Sequence, residues 1–247
     1  ITTPCASLQL PWFESFSTDP YATTCWGKYQ GKMPANGIMP ASSLQHSYAA
    51  YGWGYASNFS CGETTSNMLR SELYGSSTYQ YWSISPMVNL GNDGTAKHIA
   101  FDLGLRNYSS NSNPGSAPDD QIMILVSLDN GETWNKANGL IFADGDEDTE
   151  HNMSDLTTQM QRYAYKLVNE NDEPLTGLVR FAFYSESTVN NADNFACLDN
   201  VAVEEWAECQ APYNLVISPE NITSSSAIVT FQTWGDATSW EYAIAEG

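Results

Sequence analysis

The stretch QIMILVSLDNGETW, residues 121–134, decides how the chain is read. Its first part, QIMILVSL (121–128), carries the branched apolar residues of a strand. Its second part, SLDNGETW (127–134), turns the chain sharply. Asp129 is placed to accept backbone hydrogen bonds, Gly131 permits positive φ, and Ser127 and Thr133 can tie the turn, with Trp134 packing beneath it. This predicts a strand that ends in a tight hairpin turn.

Working outward, the same reading applies to PWFESF (11–16), WSISPMVNL (82–90), KHIAFDLGLR (97–106), GLVRFAFYSES (177–187) and ACLDNVAVEEW (196–206). NYSSNSNPGSAPDD (107–120) has the Asn, Ser, Gly and Pro content of a loop. DLTTQMQRYAYKLV (155–168) suits either a helix or a strand, with the strand favoured toward its end. The chain is therefore expected to be all-β.

Composition agrees. Aromatic residues make up 13% of the 247 residues and charged residues only 15%, the usage of a β-rich extracellular chain. Twenty-nine acids against nine bases give a formal charge of −20, which repels phosphate backbones and anionic lipid and argues against nucleic acid as a partner. No stretch approaches the length of a membrane span, so membrane insertion is not expected. The five cysteines show no CxxC spacing, which argues against zinc. Cys5 and Cys209 are candidates to clip the ends of a large domain, Cys25 and Cys61 to pair within polar loops, and Cys197 to remain a buried thiol.

SLDNGETW resembles the Asp box of sialidases and other secreted β-proteins. A sialidase would require several boxes and a cluster of arginines. This chain has one box and scattered Arg70, Arg106, Arg162 and Arg180, so the box reads as a folding device.

Four groups of segments, PWFESF with TCW, SISPMVNL, IAFDLGLR with ILVSLDNGETW, and VRFAFYSES with LDNVAVEEW, resemble in order a MAM-like jelly roll of the cleaved-adhesin type, found in secreted surface proteins of Bacteroidetes-type bacteria. The segment CQAPYNLVISPENITSSSAIVTFQTWGDATSWEYAIAEG (209–247) resembles the start of a fibronectin type III module. The resemblance implies a jelly-roll β-sandwich (galactose-binding or concanavalin-like) over residues 1–207, and part of an immunoglobulin-like sandwich over 208–247, expected to continue into adjacent domains. It also implies a structural calcium ion, Ca2+, held by Glu14 and Asp199, with Asp102 as a third ligand. Carboxylates from strands distant in sequence would be neutralised there by one hard cation.

Two further stretches carry chemistry. DGDEDTE (144–150) alternates Asp144, Asp146 and Asp148 as an EF-hand does, but Thr149 stands where that loop needs Gly and Asp155 where it needs Glu; it reads as a solvated acidic loop. HSYAAYGWGYASNF (46–59) interleaves Tyr48, Tyr51, Trp53 and Tyr55 with small residues, a pattern that offers sugar faces a stacking platform if the rings are exposed. The three histidines, His46, His98 and His151, stand in no nucleophile motif, so no catalytic residue is assigned. The expected function is a non-catalytic, secreted or cell-surface module that binds a glycan or a host or other extracellular protein. The alternative is a glycoside hydrolase, or an accessory module of a secreted glycosidase or protease.

Overall fold

The computed structural model describes residues 5–75, 79–145, 149, 151–207, 212–217 and 222–233. The chain divides into two compact units, Ile1–Glu205 and Trp206–Gly247. The first half of the larger unit holds β1 (Leu8–Gln9), β2 (Trp12–Glu14), β3 (Gly27–Gln30), β4 (Ile38–Pro40), β5 (Gln45–His46), β6 (Gly54–Cys61), β7 (Thr64–Leu73), β8 (Tyr79–Ile84) and β9 (Val88–Asn89). The second half adds β10 (Lys97–Asn107), β11 (Gln121–Ser127), β12 (Thr133–Asn135), β13 (Gly139–Ala143), β14 (Gln161–Leu167), β15 (Leu178–Ser187) and β16 (Asn194–Glu205).

These strands form a jelly-roll β-sandwich. One sheet runs β1, β9, β15, β8, β3, β5, with β11 and then β13 joined to β15. The facing sheet runs β14, β10, β16, β7, β6, with β2 also paired to β16. Period-two alternation decides which side chains meet between them. From β10 come Ile99, Phe101, Leu103 and Leu105, from β11 Ile122, Ile124 and Val126, and from β15 Val179, Phe181 and Phe183, all buried in one cluster. The intervening residues Met123, Leu125, Ala182 and Tyr184 point the other way, into a smaller cluster with Trp82, Met39 and Trp134.

The strand β16 breaks the alternation once, and the break has a cause. Ala196, Leu198, Val201 and Val203 all face the main core, although Leu198 and Val201 lie an odd number of residues apart. A β-bulge between the pairs Asp102–Asp199 and Ala100–Ala202 absorbs the extra residue. Asn200 takes φ 50° there, a left-handed conformation that Asn tolerates better than most residues.

Several sequence expectations are corrected. The strand expected over 82–90 is interrupted, because β8 ends at Ile84 and β9 starts at Val88, on either side of Pro86. The turn at Asp129–Gly131 is a corner and not a hairpin: β11 pairs with β13 and β15, whereas β12 leaves the sheet and pairs with β4. The turn itself is tied as expected, with Asp129 Oδ1 accepting from Ser127 Oγ (2.6 Å) and Thr133 N (2.9 Å), and Oδ2 from Thr133 Oγ1 (2.7 Å). The polar segment 54–73 gave no strand signal, yet forms the β6–β7 hairpin. The ambiguous segment at 155–168 resolves into a strand, β14.

The cysteine pairing also differs. Cys5 is bonded to Cys25, and Cys61 and Cys197 are both buried free thiols. Cys209 lies outside the described residues. In the second unit, β17 (Tyr213–Ile217) pairs antiparallel with β18 (Val229–Gln232), and the rest of the fibronectin-like expectation falls mostly outside the described residues.

Candidate functional site

The bulge in β16 brings acids from three strands toward one place. Residues 194–198 of β16 pair with β7, and 201–203 pair with β2, so Asp199 sits where the strand changes partners. Glu14 closes β2 opposite Val201, and Asp102 of β10 stands opposite Asp199. Asp199 is only 3% exposed. Its Oδ2 accepts from Ser66 Oγ at 2.6 Å and its Oδ1 from Asn200 N at 2.7 Å. Burial first, and then the charges of Asp102 and Glu14, push its carboxyl above the ordinary range, while the two hydrogen bonds oppose the rise.

The three acids are not equivalent. Asp102 accepts from Arg162 Nη1 at 3.0 Å and from Asn200 Nδ2 at 2.7 Å, so a cationic side chain already meets part of its charge. Among the described residues no three His, Cys, Asp or Glu side chains gather as a metal cage. Glu14 and Asp199 differ from Asp102 in their partners. Among the described residues, Glu14 accepts from Phe16 N at 3.0 Å and Thr24 Oγ1 at 3.2 Å, both neutral donors, and no cationic side chain is paired with either acid. Sequence reading missed Ser66 and Arg162, which partner these acids from strands distant in sequence, and missed that Asn200, inside the LDN segment, donates to Asp102.

The aromatic segment divides by burial. Tyr48 is 88% exposed and Tyr51 50% exposed. Tyr55 is half-buried against the main core. Trp53 is 1% exposed inside that core, so its expected place on a stacking surface is corrected. The residue missed was His46, on the edge strand β5. Its ring lies 4.5 Å from that of Tyr48 and 5.9 Å from that of Tyr29, making a row of three rings along the edge of the larger sheet. Of the acidic loop, Asp144 is described and its Oδ1 accepts from Ser154 N at 3.0 Å; Asp146 and Asp148 lie outside the described residues.

A third cluster had no sequence signal. Asp120 is 1% exposed, and neither carboxyl oxygen has a hydrogen-bond partner. It lines a cavity of about 210 Å³ together with Asp144, Asn194 and the apolar Leu105, Ala117 and Met153. Burial raises its carboxyl to about 7; Ser187 and Asn194 stand near enough to oppose this, and the charges of Asp119 and Asp144 add to it.

No family model and no curated protein sequence matches this chain. Among solved structures, it is similar to the K1 cleaved adhesin domain of Lys-gingipain from Porphyromonas gingivalis W83, at 12% identity and a TM-score of 0.43, over 79% of this chain and 98% of that one. The K3 domain of the same protein gives 12% identity and a TM-score of 0.41, over 78% and 96%. A xylan-binding module, CBM15, gives 11% identity and a TM-score of 0.36, over 71% and 100%.

Proposed function

We propose that this chain is a non-catalytic extracellular binding module that takes a neutral glycan on the ring-bearing edge of its larger sheet. The observation that carries this reading is the pair His46–Tyr48. Tyr48 is almost wholly exposed, yet its ring is held 4.5 Å from a neighbour. A ring fixed before binding loses little entropy when a ligand stacks on it. Sugar C–H faces suit such a ring, and the charge of −20 favours an uncharged glycan over an anionic one.

A structural Ca2+ bridging Glu14 and Asp199 belongs to the same reading. It would fasten the N-terminal strand β2 to the bulge of β16 and relieve the buried charge of Asp199; neutral oxygens and water would complete its shell. Hydrolysis fits the geometry less well. Glycoside cleavage needs two carboxyl groups that a substrate reaches, and the oxygens of Asp120, the acid that shares a cavity with Asp144, are closed to solvent.

The test is affinity electrophoresis through gels containing soluble neutral polysaccharides, xylan among them. The wild-type chain should be retarded in at least one gel, and the Tyr48→Ala, Tyr51→Ala double variant should run freely. Equal retardation of both would overturn the assignment of this edge.

A further inference from the structure

We propose that the cavity beside Asp120 is a second divalent-cation site, of the hard, oxygen-liganded class to which calcium belongs, with Asp120 and Asp144 as its charged ligands. Two carboxylates balance the charge of such an ion, and the uncharged oxygens around them can extend the shell, with water filling the remaining positions. This site shares no residue with the Glu14–Asp199 pair, so either can stand without the other.

The argument starts from an imbalance between adjacent residues. Asp119 is amply satisfied: its Oδ2 accepts from Thr188 N (2.7 Å), Val189 N (2.7 Å) and Thr188 Oγ1 (3.1 Å). Asp120, the more buried of the two, has no partner on either oxygen. Ser187 Oγ, beside it, is likewise buried and without a partner. A carboxyl group removed from water is stable only when hydrogen-bonded, neutralised or bound to a metal. Among the described residues, no lysine or arginine lines the cavity.

The surrounding chain supports a cation at this point. Leu105 belongs to β10, Ala117 and Asp120 to the loop before β11, Asp144 and Ser154 to the segment after β13, and Asn194 to the start of β16. Asn194 already ties two of these segments, since its Nδ2 donates to Gly115 O at 3.1 Å and its Oδ1 accepts from Gly115 N at 2.9 Å. An ion between Asp120 and Asp144 would fasten a third, the segment after β13, to them.

The test is equilibrium dialysis of calcium on chelator-stripped protein at pH 7.5, comparing wild type with Asp120→Asn, Asp144→Asn and Asp199→Asn. Asp120→Asn and Asp144→Asn should each lose one bound calcium per chain, or bind it at least tenfold more weakly, while Asp199→Asn keeps that ion. Asp144 is less buried than Asp120, so Asp144→Asn carries the test if Asp120→Asn fails to fold. Unchanged calcium binding in Asp144→Asn, or in a folded Asp120→Asn, would overturn the proposal. Loss of calcium in Asp199→Asn alone would place the only cation at the terminal strand and overturn it as well.

Discussion

Asp102 stands directly opposite Asp199 across β10 and β16, two acids in register on neighbouring strands. Like charges so placed repel, and the chain relieves one of them with Arg162, 3.0 Å from Asp102. Replacing Arg162 with Gln removes that relief and the bond from Arg162 Nη1 to Asn200 O at 2.9 Å. Because the ion pair is partly exposed, the expected loss is about 1–2 kcal/mol, read as a lower urea midpoint with an unchanged slope. A variant as stable as wild type would show that Asp102 needs no counter-charge.

The bulge rests on Asn200 and its left-handed backbone. Asn200→Gly should keep the conformation and lose only the bond to Asp102, whereas Asn200→Val should cost about 1–3 kcal/mol more, since a β-branched residue at positive φ is strained. Thermal unfolding of the two variants side by side measures the difference, and equal midpoints would contradict this account of the bulge.

Glu72 predicts the course of stability with pH. It is buried on β7, and burial first, then the charge of Asp193, raise its carboxyl from the ordinary 4.5 to about 7, against the opposing pull of Arg70. The folded chain thus holds this proton more tightly than the unfolded chain. Its contribution is fully present below about 4.5 and is lost as pH rises through about 7. Glu72→Gln should flatten that part of the stability curve, which chemical denaturation at a series of pH values would reveal.

The disulfide between Cys5 and Cys25 closes a loop across 20 positions that contains β1 and β2. Its loss in a Cys5→Ser, Cys25→Ser variant should cost about 3 kcal/mol by the loop-entropy argument. Peptide mapping without reduction should recover the two cysteines linked, and native Cys61 and Cys197 should resist alkylation because both are buried. A Cys25–Cys61 peptide would contradict the structure.

Legibility followed local chemistry. Strands such as 97–107 and 121–127 announced themselves because burial on both faces demands branched and aromatic residues at nearly every position. The β6–β7 hairpin did not, because Asn, Ser and Thr recur along both of its strands. Its turn depends on Gly62, at φ 59°, where an added Cβ would come within 2.4 Å of Thr158 O, a contact that sequence reading could not foresee. Trp53 failed as a surface ring for a related reason: residues 48, 51 and 53 lie in the irregular segment between β5 and β6, where no sequence period marks which ring faces inward. Glu14 and Asp199 were singled out only through the resemblance of the FE and LDN segments. The environment of Asp120 is assembled from segments so far apart that no local pattern marks it.

The most direct test of the account is a calorimetric titration of the retained polysaccharide, cut to oligosaccharides, into wild type, Tyr48→Ala and Tyr48→Phe. The account predicts that Tyr48→Ala weakens binding at least tenfold, about 1.4 kcal/mol, while Tyr48→Phe, which keeps the ring, binds nearly as well as wild type. Undiminished affinity in a folded Tyr48→Ala variant would contradict the claim that this sheet edge is the binding surface.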